Sequence, residues 1–268
     1  MTIDAWIRSA AIQLNARGVP SPRLDAELIL SHTLRKGRTW VHAHGDEAID
    51  ARTQEIADAR LDLRLDRVPI AYIIGHKEFY GRRFTVTTST LIPRPESEAM
   101  IELLQTIPLR PGMKLVDVGT GSGCLGITAK LEHPELDVTL VDIDKHTLAV
   151  AEKNALQLGA SVEYLKSSLL THYPYSADIV LANLPYVDKE WENSPEIQHE
   201  PSVALFADDN GLFLIKQLIN QCSDKLQVGG YLALEADLRQ HHAMTHYAEQ
   251  HGLSPVETRG LIVLYQSL

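Results

Sequence analysis

Length, composition and charge describe an ordinary globular chain: 268 residues, 44% hydrophobic and 22% charged. The two cysteines, Cys124 and Cys222, cannot form a disulfide framework, which favours a reducing, cytoplasmic location. We predict neither a signal peptide nor a membrane span. The formal net charge of -10 argues against direct nucleic-acid binding, which usually requires a basic face.

The first part of the chain predicts a small helical domain. Residues 4–16 carry apolar side chains at helical spacing, with Asp4 as a candidate N-cap. A second helix opens at Ser21-Pro22, and a third, rich in charged residues, covers 48–65. We place the domain boundary near residue 75.

A linker is predicted over 76–98. Residues 79–87 indicate a β-hairpin that turns at Gly81. The stretch 91–96 is stiff because prolines lie on both sides of Arg94, which is equally compatible with cofactor contact and with a carboxylate partner. A helix follows from Glu96 to about 106.

Residues 99–268 predict an α/β domain in which strands and helices alternate. Strands are expected at 114–118, 138–142, 162–166, 178–182, 231–235 and 261–265, and helices at 123–132, 145–158, 211–226 and 238–251. This order predicts a mostly parallel, Rossmann-like sheet with helices on both faces. Since ligands bind beyond the carboxyl ends of such strands, the segments that follow them should converge on one cleft.

A glycine-rich turn follows the first of these strands and is predicted to bind an adenosine-containing cofactor. It consists of Gly119, Thr120, Gly121, Ser122 and Gly123. A dinucleotide fingerprint would require a glycine at 124, where Cys124 stands as a helix-packing residue, so a nicotinamide enzyme is disfavoured. Asp142, at the end of the next strand, is predicted to bind the ribose. Its alternative role is a helix N-cap, which Asp144 could provide instead.

The tetrapeptide Asn183-Leu184-Pro185-Tyr186 is predicted to hold a planar nitrogen substrate and to carry the catalysis. The Asn183 side-chain oxygen and a nearby backbone carbonyl can accept both hydrogens of an amide. Pro185 stiffens the backbone without adding a donor, and Tyr186 offers a flat ring for stacking. Together with the glycine turn, this predicts methyl transfer from S-adenosylmethionine to nitrogen, by alignment and electrostatics. No metal site is expected, because the histidine pairs lack a third ligand.

The chain resembles the HemK/PrmC family of protein-(glutamine-N5) methyltransferases through motifs that extend beyond this site. The resemblance rests on residues 69–75, 79–81, 91–96, the cofactor loop 117–123, Asp142, 183–186, 200–205 and 209–212. Leu184 stands where the family usually has proline. Ser168 and Leu169 replace an acidic and an aromatic residue beside the adenine, and the C-terminal end passes directly from 258–260 into the last strand.

The resemblance implies that Asn183, Leu184, Pro185 and Tyr186 bind the glutamine of a Gly-Gly-Gln motif in class 1 peptide chain release factors. Asn183, Ser168 and Leu169 would also contact S-adenosylmethionine, which leaves as S-adenosylhomocysteine. The helical domain would bind the release factor, and a monomer is expected. Two alternatives stay open: an adenine-N6 methyltransferase acting on nucleic acid, and a catalytically weak protein that binds a partner.

Overall fold

A computed structural model describes residues 1–191 and 194–268, which form two compact units. Unit 1 contains Met1–His76 and Ser194–His199. Unit 2 contains the other described residues from Lys77 onward. Among the helices so described, none has the length and apolar character needed to cross a membrane.

Unit 1 is helical, as the sequence predicted. Its helices are α1 (Ile3–Ala16), α2 (Pro22–Leu34), α3 (Arg38–Ala43), α4 (Ala51–Leu65) and α5 (Ile70–Ile74). The prediction that Asp4 caps α1 is wrong, because the Thr2 side chain accepts from the Ala5 N–H at 3.3 Å. The third predicted helix starts at Ala51, later than expected, where Asp50 is the N-cap. The two short helices α3 and α5 were not predicted.

The core of unit 1 forms where the apolar sides of its longer helices meet. Trp6, Leu14, Ala26 and Leu30 are all buried there. The Trp6 indole N–H donates to Asp58 Oδ1 at 2.7 Å, so its polar edge is satisfied. Periodicity was sufficient to predict the three longer helices α1, α2 and α4, which supply this core.

The predicted hairpin lies where unit 2 begins, and of its strand residues only His76 is counted in unit 1. Strands β1 (His76–Phe79) and β2 (Arg82–Thr85) pair around Tyr80 and Gly81, whose φ angles are 49° and 69°. Two consecutive positive φ angles match the right-handed twist of the strands, which is why a glycine marks this turn.

The rest of unit 2 is a mixed sheet covered by helices on both faces, which confirms the predicted fold class. The strands are β3 (Lys114–Val118), β4 (Asp137–Asp142), β5 (Glu163–Lys166), β6 (Ala177–Ala182), β7 (Leu226–Glu235), β8 (Leu253–Arg259) and β9 (Ile262–Ser267). Their order in the sheet is β5-β4-β3-β6-β7-β9-β8, with β9 antiparallel to both neighbours and the others parallel. The helices are α6 (Glu98–Leu104), α7 (Cys124–Glu132), α8 (Lys145–Leu158), α9 (Phe213–Lys225) and α10 (His241–Glu249).

Strand β8 was missed, and the C-terminal end is a hairpin rather than a lone final strand. Pro255 and a register shift between Pro255 and Glu257 interrupt the alternation that would have revealed the strand. Proline is tolerated because β8 lies at the sheet edge, where one row of backbone N–H groups needs no partner strand.

The register of the parallel strands determines where the site lies. Val118 pairs with Val141 on one side and with Ala182 on the other. The next residues along the three strands are Gly119, Asp142 and Asn183, which therefore come out side by side at the carboxyl edge of the sheet.

Candidate active site

A cavity of about 430 Å³ opens at this edge, entirely within unit 2. The residues of the sequence-predicted site that line it are Gly119, Gly121, Asp142, Ser168, Leu169, Asn183, Leu184 and Pro185. The predicted convergence of the glycine turn, the strand-end acid and the tetrapeptide is therefore present.

Asp117 stabilises the conformation of the glycine turn. Its carboxylate is buried and one oxygen accepts from Thr120 Oγ1 at 2.6 Å and from the Gly126 N–H at 2.9 Å. Burial raises the pKa of Asp117 to about 6, against an ordinary value of 3.8. This role of Asp117 was not predicted from the sequence.

Gly119 permits a close approach that a side chain at this position would hinder. Its φ is +74°, and a Cβ atom built on it would lie 3.0 Å from Leu184 Cδ2. The backbone of Gly119 therefore lines the cavity directly, as expected of a turn that holds a cofactor.

Asp142 presents a partly satisfied carboxylate to the cavity. Oδ2 accepts from the Gly121 N–H at 3.1 Å and Oδ1 from the Asp144 N–H at 3.0 Å. A carboxylate oxygen accepts two hydrogen bonds, so each has capacity left for a ribose hydroxyl. Burial raises the pKa of Asp142. The capping role falls to Asp144, whose side chain accepts from the Thr147 N–H, so the alternative reading of Asp142 as an N-cap is wrong.

The other residues of the turn support it rather than line the cavity. Thr120 is buried, and its hydroxyl donates to Asp117. Gly123 precedes α7 with a φ of +83°. The Ser122 carbonyl accepts from Asn154 Nδ2 at 2.8 Å. Cys124 packs beside the core, and burial raises the pKa of its thiol to about 12, which suits a packing residue rather than a nucleophile.

The remaining wall of the cavity is mostly apolar. Ile143, Leu169 and Leu214 line it together with the small polar side chain of Ser168. An apolar slot beside a carboxylate, at the edge of a glycine turn, fits the adenine and ribose of S-adenosylmethionine. The residues present are therefore compatible with the predicted cofactor.

Asn183 is the polar group of the tetrapeptide in the cavity. Its Nδ2 donates to Ser97 Oγ at 3.0 Å, and Ser97 in turn contacts Glu235. Leu184 is buried with its side chain against the glycine turn, and Pro185 forms part of the wall. Tyr186 does not line the cavity, and its hydroxyl donates to Glu235 Oε1 at 3.1 Å.

Sequence reasoning missed Ser97 and Glu235, both of which are buried. Ser97 Oγ donates to Glu235 Oε2 at 2.5 Å. Glu235 ends β7, directly after an apolar run. The strand-end argument that found Asp142 and Asn183 would also have found Glu235, whereas no local signal marks Ser97.

Glu200 joins two segments beside the cavity. One oxygen accepts from the Arg94 guanidinium at 2.6 Å and the other from the Ile92 N–H at 3.1 Å. Arg94 thus has a carboxylate partner, one of its two predicted alternatives. The adjacent residues Leu91 and Pro201 line the cavity, so Glu200 contributes to the shape of the cavity by joining the two segments that carry them.

Comparison with known proteins agrees with this geometry. Residues 5–75 match the model of the PrmC N-terminal domain, and residues 97–200 match that of the methyltransferase small domain. A release factor glutamine methyltransferase of Koribacter versatilis is 37% identical over 241 residues, covering 88% of this chain and 86% of the relative. Its counterpart in Salmonella typhimurium is 35% identical over 266 residues, covering 96% and 94%.

The chain belongs to the release factor glutamine methyltransferase family. It is accordingly a methyltransferase, and the predicted cofactor, S-adenosylmethionine, is confirmed with the family. A solved methyltransferase from Pyrococcus furiosus shares the fold, with a TM-score of 0.54 at 18% identity over 79% of this chain and 98% of that one.

Proposed function

We propose that the chain methylates the side-chain amide nitrogen, N5, of the glutamine in the Gly-Gly-Gln motif of class 1 peptide chain release factors, and so supports translation termination. The observation that carries the proposal is the orientation of Asn183. Its Nδ2 group donates to Ser97, so its Oδ1 is the atom left to accept from a substrate N–H. The names of the relatives supply the class of substrate.

An amide nitrogen is a weak nucleophile because its lone pair is delocalised into the carbonyl. The Asn183 oxygen and the Leu184 backbone carbonyl accept the two amide hydrogens and fix the plane of the substrate. S-adenosylmethionine, when bound, supplies an electrophilic methyl group on a sulfonium. The chain itself contributes alignment and local electrostatics, which lower the barrier without a covalent intermediate.

Leu184 preserves the acceptor that the reaction needs. Every residue has a backbone carbonyl, so the exchange of the family proline for leucine keeps this oxygen. The leucine side chain is only 4% exposed and lies against Gly119, so packing fixes the segment. We propose that this burial replaces the rigidity of a proline ring.

We further propose that different segments of the chain have different functions. Residues 1–75 bind the release factor, 76–98 form the hairpin linker, and 99–268 carry the catalysis. The match of residues 5–75 to a PrmC N-terminal domain supports the first assignment. The enzyme acts as a monomer in the cytoplasm, without direct contact with nucleic acid or membrane.

The test is mass spectrometry of an unmethylated class 1 release factor after incubation with the chain and S-adenosylmethionine. We expect a gain of one methyl group on the Gly-Gly-Gln glutamine. Asn183→Ala should abolish the gain while S-adenosylmethionine still binds. Asn220→Ala is the matched control, because Asn220 lies on α9, exposed and outside the cavity lining.

Two other results would contradict the proposal. Methylation of adenine in nucleic acid, with none on the release factor, would favour the adenine-N6 alternative. Absence of both methylation and S-adenosylmethionine binding would favour a partner-binding protein.

A further inference from the structure

Four buried or half-buried side chains form a hydrogen-bond network that ends on Asn183. Its members are Ser97, Asn183, Tyr186 and Glu235, and we call it the Glu235 network. We propose that Glu235 is a positioning residue that fixes the direction of the Asn183 amide and strengthens its oxygen as an acceptor. This inference rests on the proposed function.

The direction of the amide follows from counting protons. In its ionised form the Glu235 carboxylate only accepts, so the single proton of Ser97 Oγ is then committed to Glu235. Ser97 can then only accept from Asn183, which requires the nitrogen of the amide, not its oxygen, to face Ser97 at 3.0 Å. A flipped Asn183 would place its oxygen against the Ser97 oxygen, with no proton between them.

The carboxylate is held in place by two donors. Ser97 and Tyr186 both donate to Glu235, which is only 1% exposed. Burial raises the pKa of Glu235, and the hydrogen bonds from Ser97 and Tyr186 oppose that rise. No cation pairs directly with Glu235 among the described residues, so its charge acts mainly on these two groups.

Charge on Glu235 also reaches the reacting end of Asn183. Because Ser97 donates to the carboxylate, its oxygen is a stronger acceptor for the Asn183 N–H, which favours the amide resonance form with negative charge on oxygen. Oδ1 then holds a substrate N–H more tightly. The same carboxylate fixes the Tyr186 hydroxyl at 3.1 Å, so the two ends of the tetrapeptide share one anchor.

Glu235→Gln tests the effect on catalysis, since the side chain keeps its shape and loses its charge. We expect kcat for release-factor methylation to fall about 10- to 100-fold, the range that corresponds to a hydrogen bond with a charged group. The KM and the Kd for S-adenosylmethionine should each stay within about twofold of the wild-type value, because Glu235 does not line the cavity. Glu257→Gln, on the edge strand β8, is the matched control. An unchanged kcat, or a fall explained wholly by weaker cofactor binding, would overturn the proposal.

Ser97 provides a second test if Glu235→Gln fails to fold. Ser97→Ala removes the link between Asn183 and Glu235 and should lower kcat, whereas Ser97→Thr keeps the hydroxyl and should retain most of it. Equal losses in both variants would indicate a packing effect and would contradict the assigned role.

A third test needs no catalysis and so separates this inference from the proposed function. Asn183→Asp would place a second carboxylate on Ser97, whose single proton already goes to Glu235, and we expect the melting temperature to fall. Adding Glu235→Gln frees the Ser97 proton for the new carboxylate and should restore part of the loss. If the double variant melts at or below Asn183→Asp, the network is not arranged as proposed. If the wild type methylates no release factor but this restoration is seen, the proposed substrate fails and the network stands.

Discussion

Asn154 offers the sharpest test of how the glycine turn is held. It is 0% exposed on α8 and makes hydrogen bonds to two different segments. Its Oδ1 accepts from the Thr85 N–H at 2.8 Å, and its Nδ2 donates to the carbonyls of Thr85 at 3.0 Å and Ser122 at 2.8 Å. One side chain therefore joins the hairpin, α8 and the cofactor turn.

Asn154→Ala removes all three bonds and leaves the Thr85 and Ser122 backbone groups without this partner. At a net contribution of about 1 kcal/mol for each bond, the free energy of unfolding should fall by about 3 kcal/mol. For a chain of this size, that corresponds to a fall in melting temperature of roughly 6–12 °C. S-adenosylmethionine should also bind more weakly, because the Ser122 carbonyl anchors the turn.

Thermal unfolding followed by circular dichroism measures the first effect, and titration calorimetry with S-adenosylmethionine measures the second. Asn220→Ala, the same substitution at an exposed position, should leave both values close to those of the wild type. A melting temperature for Asn154→Ala equal to that of this control would show that water or a local shift replaces the three bonds, and the reasoning would be refuted.

Three further substitutions test the cofactor site. Burial raises the pKa of Asp117, so its protonated form favours the folded state. The wild type should therefore lose stability relative to Asp117→Asn as the pH rises from about 4 through about 6, by up to about 3 kcal/mol. Equal pH profiles of stability for the two proteins would contradict the assigned burial. Asp142→Asn should raise the Kd for S-adenosylmethionine about 10- to 100-fold in calorimetry, as expected for lost hydrogen bonds to a charged group; an unchanged Kd would remove Asp142 from the ribose site. Gly119→Ala should lower the free energy of unfolding by about 1–2 kcal/mol because its φ is +74°, with a further cost from the contact with Leu184; a thermal melt identical to the wild type would show that the turn relaxes freely.

The sequence by itself determined the local structure and the general location of the site. The alternation of apolar strands and helices predicted the Rossmann-like sheet, and glycines in a strand-to-helix turn predicted the cofactor loop. The sequence also indicated Asp144, in place of Asp142, as the N-cap of α8, since capping depends only on neighbouring residues. The enzyme class followed from the motifs and is confirmed by the family. The roles of Asn183 and Tyr186 stay predictions until the variants are measured.

Only the tertiary structure decided how the side chains of the site are held. Ser97 and Glu235 are 138 residues apart, and Arg94 and Glu200 are 106 apart. No periodicity or spacing rule brings such pairs together, because their contact depends on how elements pack. Strand β8 was missed for a related reason: its place is fixed by pairing with β9 rather than by its own alternation. Local patterns specify elements, whereas the direction of one amide in the site depends on a buried carboxylate from a distant strand.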